Sequence, residues 1–208
     1  MTMGPRFADN DDSFSEIVEI VYDQLDTGRR LPDWPFKMLA GFAAIYEYDR
    51  ILGGDFGSVI ATLVSAYGDE VVTVVGFEPL PSYYRDAYNF YPGFQVPGRS
   101  VGDGYGEGLR YEPGDDPTGA MAYTLNIIAI VGASGAWSVW GQRDWEIGLL
   151  LTRDPSGAWL SDDVPRYGHD VDLASIRSPV GWGIPLSDAQ LQTFSKNLRE
   201  RGSGPGRG

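Results

Sequence analysis

Carboxylates are the most plentiful candidates for chemistry in this sequence, and three pairs of aspartates are adjacent in the chain: Asp11-Asp12, Asp115-Asp116 and Asp162-Asp163. A glycosidase needs two carboxylates about 5–9 Å apart across a cleft, and a Mg²⁺ or Ca²⁺ site needs several convergent oxygens. Adjacent acids in polar segments normally diverge into solvent, so these pairs carry no signature of either site. A carboxylate-dependent hydrolase, acting on a sugar or another small polar substrate, therefore remains an alternative function.

Other nucleophiles and metal ligands are scarce. The sequence has no Cys and a single His, His169, which excludes thiolate chemistry, Cys-ligated zinc and multi-histidine sites within one chain. Ser134 lies in Gly132–Gly135 (GASG), which lacks the second spaced glycine of a nucleophile elbow and is typical of a tight turn. We therefore predict no catalytic residues, no metal and no cofactor, and the sequence favours a protein that is not an enzyme.

A glycine-rich run, Gly102–Gly108 (GDGYGEG), resembles a phosphate-binding loop only in composition. It contains two acids, follows Pro97-Gly98-Arg99-Ser100 and has no Lys-Ser/Thr ending, whereas a phosphate cradle needs a preceding strand and a following helix. The run belongs to residues 91–119, which hold 8 Gly and 4 Pro. We predict a long Gly/Pro-rich loop over this segment.

Acidic residues are distributed unevenly along the chain. The net charge is −13, and residues 1–119 hold 20 acidic against 8 basic residues. This balance argues against a nucleic-acid or anionic-membrane partner. At helical spacing, one arc of the first predicted helix carries four acids: Glu16, Glu19, Asp23 and Asp26. The arc is either a solvated face or a docking face for a basic protein, and we take its residues as partner-binding candidates.

Aromatic residues are dense just before and within the predicted loop. Residues 77–94 contain seven of them: Phe77, Tyr83, Tyr84, Tyr88, Phe90, Tyr91 and Phe94. These rings either line a ligand cleft or partner anchor, or fix the long loop to the sheet, because tyrosine supplies contact area and a polar tip. The partner-binding candidates are the tyrosines Tyr83, Tyr84, Tyr88 and Tyr91.

The periodicity of the chain predicts an α+β fold, with N-terminal helices packed on a mainly antiparallel sheet and a C-terminal helix. Three helices come first: 13–27, with Ser13 and Glu16 as a capping box, one from Asp33 to Gly53, and one from Asp55 to Gly68. Strands follow at 70–77, 121–132, 136–141 and 145–151, and the short gaps between the last three predict antiparallel hairpins. Ser187 or Asp188 caps the final helix.

These elements fit one domain over residues 13–200, between a disordered N-terminus at 1–12 and a disordered tail at 201–208. The N-terminus has no apolar core of a secretory signal, and no run approaches the 18 apolar residues of a membrane span. We therefore expect a cytoplasmic protein without a membrane partner.

Three stretches of the sequence carry a resemblance to other proteins. They are Asp55–Ser58 (DFGS), Tyr111–Ala122 (YEPGDDPTGAMA) and Trp137–Ile147 (WSVWGQRDWEI). With them, residues 13–152 resemble uncharacterised proteins of high-GC Gram-positive bacteria, a resemblance that brings no activity or catalytic residue. A small acidic α+β domain with a Trp-rich hairpin is also similar in type to the immunity proteins of bacterial toxin systems.

The expectation from sequence is thus an acidic, non-enzymatic protein-binding module, of an immunity type that occludes a basic toxin domain. The hydrolase named above is the first alternative, and a structural or regulatory domain without a ligand is the second.

Overall fold

The computed structural model describes residues 4–153 and 186–202, which form a seven-stranded antiparallel sheet with helices on both faces. The strands are β1 (Arg6–Phe7), β2 (Phe42–Glu47), β3 (Val71–Glu78), β4 (Gly93–Pro97), β5 (Ile127–Gly132), β6 (Trp137–Gln142) and β7 (Ile147–Thr152), in the spatial order β1-β4-β3-β5-β6-β7-β2. The helices are α1 (Asp11–Gln24), α2 (Tyr48–Ile51), α3 (Phe56–Tyr67), α4 (Pro81–Tyr88), α5 (Val101–Leu109), α6 (Met121–Thr124) and α7 (Asp188–Arg201). This arrangement confirms the predicted α+β class.

The sheet separates two apolar cores. Side chains alternate between the faces of a strand, so Ile128 and Ile130 of β5 pack with α3 and α5, whereas Ala129 and Val131 pack with α1. All residues of β5, β6 and β7 are buried. Their sequences are consequently apolar on both faces, as expected for strands covered from two sides.

The predicted hairpins are present. Strand β5 pairs with β6, and β6 pairs with β7, both antiparallel. The first turn has Gly135 at a φ of 65°, and the second contains a 3₁₀ turn at Arg143–Trp145. Strand β5 begins at Ile127, later than predicted, because Met121–Thr124 forms the short helix α6.

The second predicted helix is wrong, because Phe42–Glu47 forms strand β2. In β2, Ala43 and Ile45 face one core, and Ala44 and Tyr46 face the other. A strand with apolar residues on both faces has no period of two to distinguish it from a helix. Its register is set by tertiary pairing with β7.

The prediction of a long loop at 91–119 is also wrong. It contains β4, which pairs with both β3 and β1, and helix α5. A Cβ on Gly108 would lie 2.4 Å from the Phe94 ring, and a Cβ on Gly104 would lie 2.7 Å from Val96. The glycines therefore allow α5 to lie directly on β4.

Described parts of the two segments that were predicted to be disordered form regular structure. Strand β1 and the Asn10 cap of α1 lie within the segment predicted to be disordered at 1–12; Asn10 accepts from the Ser13 backbone N–H. Ser187 caps α7, and its last residues, Arg201 and Gly202, accept hydrogen bonds from the edge of the sheet at Gly41 and Ala43. Residues 203–208 lie outside the described residues. In the described ranges, no helix has the length and apolarity that a membrane crossing requires.

Candidate functional site

The exposed face of α1 carries most of the predicted acidic arc. Glu16, Glu19 and Asp23 are exposed, opposite the buried side chains of Ile17 and Val21. Helix α1 was expected to reach residue 27, but it ends at Gln24 because Leu25 adopts an extended conformation. The acidic face of α1 is therefore defined by Glu16, Glu19 and Asp23.

Asp26 does not belong to this face. It lies beyond the end of α1, is half-buried, and its carboxylate accepts a hydrogen bond of 2.8 Å from Arg29 Nε. Its backbone N–H donates to the carbonyl of Pro35. These contacts hold the segment after α1 in place. The prediction that Asp26 shares a helical face with Glu16, Glu19 and Asp23 is therefore wrong.

The aromatic segment at 77–94 divides into buried and surface rings. Tyr84, Phe90 and Phe94 are buried in the core, and the Tyr84 hydroxyl lies 2.5 Å from Thr124 Oγ1. Burial raises the pKa of Tyr84 to about 12. Tyr84 therefore stabilises the packing of α4 and is not a partner contact, which corrects its prediction as a binding residue.

Tyr83, Tyr88 and Tyr91 lie at the surface. The rings of Tyr83 and Tyr88 meet edge to face with centroids 6.0 Å apart. The Tyr88 hydroxyl donates to the Thr118 carbonyl at 3.2 Å, and the Tyr91 hydroxyl donates to Asp11 Oδ1 at 2.9 Å. Tyr88 thus connects α4 to the turns after α5, and Tyr91 connects the segment after α4 to the start of α1.

Carboxylates surround these rings. Asp11 lies 3.4 Å from Arg85 Nη1 and Asp86 lies 3.6 Å from Arg85 Nε, with side-chain exposures of 74% and 75% for the two acids. Asp116 accepts from the Thr118 backbone N–H at 2.9 Å and from Thr118 Oγ1 at 2.7 Å. We call this patch the tyrosine–carboxylate surface, and it comprises Asp11, Tyr83, Arg85, Asp86, Tyr88, Tyr91, Asp116 and Thr118.

The pKa shifts on this surface keep Tyr83, Tyr91 and Asp116 in their ordinary charge states at neutral pH. Hydrogen bonding to Tyr88 raises the pKa of Tyr83, and hydrogen bonding to Asp11 raises the pKa of Tyr91. Hydrogen bonds from Thr118 lower the pKa of Asp116. The hydroxyls therefore stay protonated and the Asp116 carboxylate stays charged at neutral pH, whereas a carboxylic general acid needs a pKa raised by burial.

Sequence reasoning missed Asp11, Arg85, Asp86 and Asp116 as site residues. Asp11 and Arg85 are 74 positions apart, so no local spacing joins them. The only signals were the adjacent acid pairs at 11–12 and 115–116, next to the tyrosine-rich segment. The fold brings Asp11 of α1 next to Arg85 of α4, and the Tyr88–Thr118 contact brings the turn that carries Asp116 next to the same helix.

The remaining sequence candidates do not form a catalytic group in the described residues. Ser134 lies in the β5–β6 turn, where its backbone N–H donates to the buried carboxylate of Asp69. His169 and the pair Asp162-Asp163 lie outside the described residues. Across residues 4–153 and 186–202, no three His, Asp or Glu side chains are grouped so that they could hold a metal ion.

Comparison of the chain with protein-family models, curated proteins and solved structures gives no match. Function is therefore argued from the geometry of the chain's own residues.

Proposed function

We propose that this protein is a non-enzymatic protein-binding module, which engages a basic partner through the tyrosine–carboxylate surface and the acidic face of α1. The observation that carries the proposal is the contact of Asp11 with both Tyr91 and Arg85. This contact joins the start of α1 to the tyrosine-bearing helix α4. Asp11 therefore belongs both to α1 and to the tyrosine–carboxylate surface, and we propose that one partner contacts both groups of candidate residues.

The chemistry of the surface supports a protein partner. Tyrosine buries a large area at low conformational cost and keeps a hydroxyl for hydrogen bonding, which makes it frequent at the centre of interfaces. Tyr83 is 46% exposed, so a partner has ring area available to cover. Exposed carboxylates around such rings attract Lys and Arg side chains and accelerate association.

The finer proposal is that the partner is the basic domain of a toxin, which this protein neutralises by occlusion. Occlusion requires an extended complementary surface and no catalytic group. The charge of −13 adds long-range attraction to a cationic partner.

The hydrolase alternative has less support. Asp11 and Asp86 are mostly exposed, and the pKa of Asp116 is lowered, so none of the three resembles a buried general acid. The aromatic rings beside them mainly pack into the core or onto neighbouring elements.

The test is association kinetics between the purified chain and the purified products of the genes adjacent to its own, since immunity and toxin genes normally lie side by side. We expect a partner with positive net charge to bind with an association rate that falls as salt is added. The variant Tyr83→Ala/Asp86→Lys should weaken binding by tenfold or more, which is about 1.4 kcal/mol.

The control for the charge reversal is Asp55→Lys, at an exposed acid that precedes α3 and is not part of the tyrosine–carboxylate surface. This variant should dissociate from the partner at the wild-type rate. Binding that is equal in both variants would contradict the role of the surface, and failure of all the adjacent gene products to bind would contradict the immunity-type proposal.

A further inference from the structure

A cavity of about 570 Å³ lies at the C-terminal end of α1. Its walls come from α1, the segment after it, the start of β3, the β5–β6 hairpin and the end of β7. It is lined by Ile20, Asp23, Gln24, Lys37, Met38, Val71, Ala133, Ser134, Gly135, Ser138 and Arg153. We call it the α1-end cavity. Its volume is within the range of about 300–1,000 Å³ that is typical of small-molecule sites.

The rim of the α1-end cavity is more basic than the rest of the molecule. Lys37 and Arg153 are both exposed at the rim, against one acid, Asp23. The Lys37 ammonium donates to the backbone carbonyl of Tyr22, which holds it near the end of α1. Among the described residues that line the opening, two cations and one anion leave one positive charge, in a protein whose net charge is −13.

The inner wall combines apolar area with polar groups. Ile20, Met38 and Val71 are half-buried there, and Ser138 is only 2% exposed. Gln24 donates from Nε2 to the Gly132 carbonyl at 2.8 Å. Its Oε1 is buried without a hydrogen-bond partner in the described part of the chain.

We propose that the α1-end cavity binds a small organic monocarboxylate with an apolar body. The carboxylate lies between Lys37 and Arg153, and the apolar body packs against Ile20, Met38 and Val71. A single net positive charge matches a monoanion better than a phosphate dianion, since Asp23 would repel the second charge.

Nucleotide binding is disfavoured by the same walls. The described residues that line the cavity include no aromatic ring for stacking a base. The turn amides are already used, because Ser134 N–H donates to Asp69 and Gly135 N–H donates to the Gly132 carbonyl. This inference does not depend on the proposed function: Asp23 is the only residue shared between the cavity and the acidic face of α1, and the tyrosine–carboxylate surface has no residue in the cavity.

The experiment is a titration of the isotope-labelled full chain with hexanoate, followed by amide chemical shifts in two-dimensional NMR spectra. Hexylamine and hexanol serve as probes of the same apolar length with a cationic and a neutral head. We expect saturable shifts with hexanoate that are centred on residues 23–24 and 133–138, and weaker or no shifts with the other two compounds.

Two variants then test the assigned charges. Lys37→Gln and Arg153→Gln should each weaken hexanoate binding by about fivefold, the effect of losing one partly exposed ionic contact. The matched control is Lys196→Gln on α7, since Lys37 and Lys196 are the only two lysines and Lys196 does not line the cavity. The spectrum of each variant reports whether the fold is intact.

Absence of saturable shifts, equal shifts with all three compounds, or preference for hexylamine would each overturn the proposal. Equal loss of affinity in Lys196→Gln would overturn it as well, because the effect would then reflect overall charge. Loss of partner binding by the tyrosine–carboxylate surface would leave the hexanoate result unaffected, so the two proposals fail separately.

Discussion

Helix α1 covers one face of the sheet and helix α5 covers the other, and the two helices differ in what they leave exposed. Helix α1 buries three of its 14 residues, Ile17, Val18 and Val21, and directs a line of carboxylates outward. Helix α5 buries six of its nine residues, including three glycines. Glycines in α5 permit its close approach to β4, and Gly57 permits the close approach of α3 to α5, whereas the charged face of α1 contributes little to packing.

The difference separates structural residues from candidate functional ones. Helix α5 is formed by tertiary contacts that override its poor intrinsic helix propensity. Helix α1 has an ordinary amphipathic pattern with an Asn10 cap, and its outer face is free to serve recognition. The tyrosine–carboxylate surface lies at the start of α1 and the α1-end cavity at its end.

The largest effect is expected from Gly57→Ala, which tests whether α5 depends on close packing. A Cβ at Gly57 in α3 would lie 2.3 Å from the Gly102 carbonyl oxygen of α5. Overpacking against a backbone atom should lower the free energy of unfolding by about 3 kcal/mol. Urea denaturation measures this change.

The control for this change is Gly102→Ala, because a Cβ there meets nothing within 4 Å. Alanine in a helix should raise stability by about 0.5–1 kcal/mol. Equal stabilities of the two variants would show that the helices do not pack as described.

The next largest loss of stability is expected from Asp69→Asn, which changes a buried carboxylate beneath the β5–β6 turn. The Asp69 carboxylate is 6% exposed and accepts from Trp137 Nε1 at 2.7 Å and from the Ser134 backbone N–H. Asparagine keeps one acceptor oxygen and has an NH₂ donor in place of the other. Either the Ser134 N–H or the Trp137 indole N–H would therefore lose its acceptor and face a donor. The free energy of unfolding should fall by about 1–3 kcal/mol. A melting temperature equal to that of the wild type would contradict this arrangement.

Matched charge reversals on α1 and α5 compare the contributions of the two helices to the association rate. Glu19→Lys/Asp23→Lys on α1 should slow association with a basic partner by about tenfold at low salt, with a smaller effect at high salt. Asp103→Lys/Glu107→Lys makes the same change on exposed residues of α5 with the same spacing. Stopped-flow kinetics should show a clearly smaller effect for the α5 pair. Equal slowing in both pairs would indicate attraction by net charge alone.

The smallest effect concerns pH. Hydrogen bonds from Thr118 lower the pKa of Asp116 below its ordinary 3.8, so the ionised form stabilises the fold above that value. This stabilisation is lost as the pH falls through the lower folded pKa. In Asp116→Asn, the melting temperature should therefore fall slightly less than in the wild type between about pH 5 and pH 3. Parallel curves would show that Asp116 has no such role.

Local sequence patterns predicted the elements that local forces form. The apolar spacing of α1 and α3, the left-handed Gly68 after α3 and the two hairpins of β5–β7 all appear in the structure. Strand β2 was predicted as a helix because its two apolar faces remove the alternation on which prediction depends. Helix α5 was predicted as a loop because its glycines serve contacts between distant segments.

The candidate site was predictable only in part, for a related reason. The outward direction of Glu16, Glu19 and Asp23 follows from the period of α1. The neighbours of Tyr91 and Tyr83 depend on how α4 packs near α1, which no local pattern encodes. The burial of Tyr84 beside exposed Tyr83 likewise depends on tertiary contacts.

We expect the exposed residues of α1 and α4, and not the exposed residues of α5, to form the recognition surface. Hydrogen–deuterium exchange of the chain, free and bound to its partner, distinguishes the two helices from α5. Exchange should slow on binding in residues 11–24 and 81–91, with no change in residues 101–109. Slower exchange confined to 101–109, with residues 11–24 and 81–91 unchanged, would contradict it.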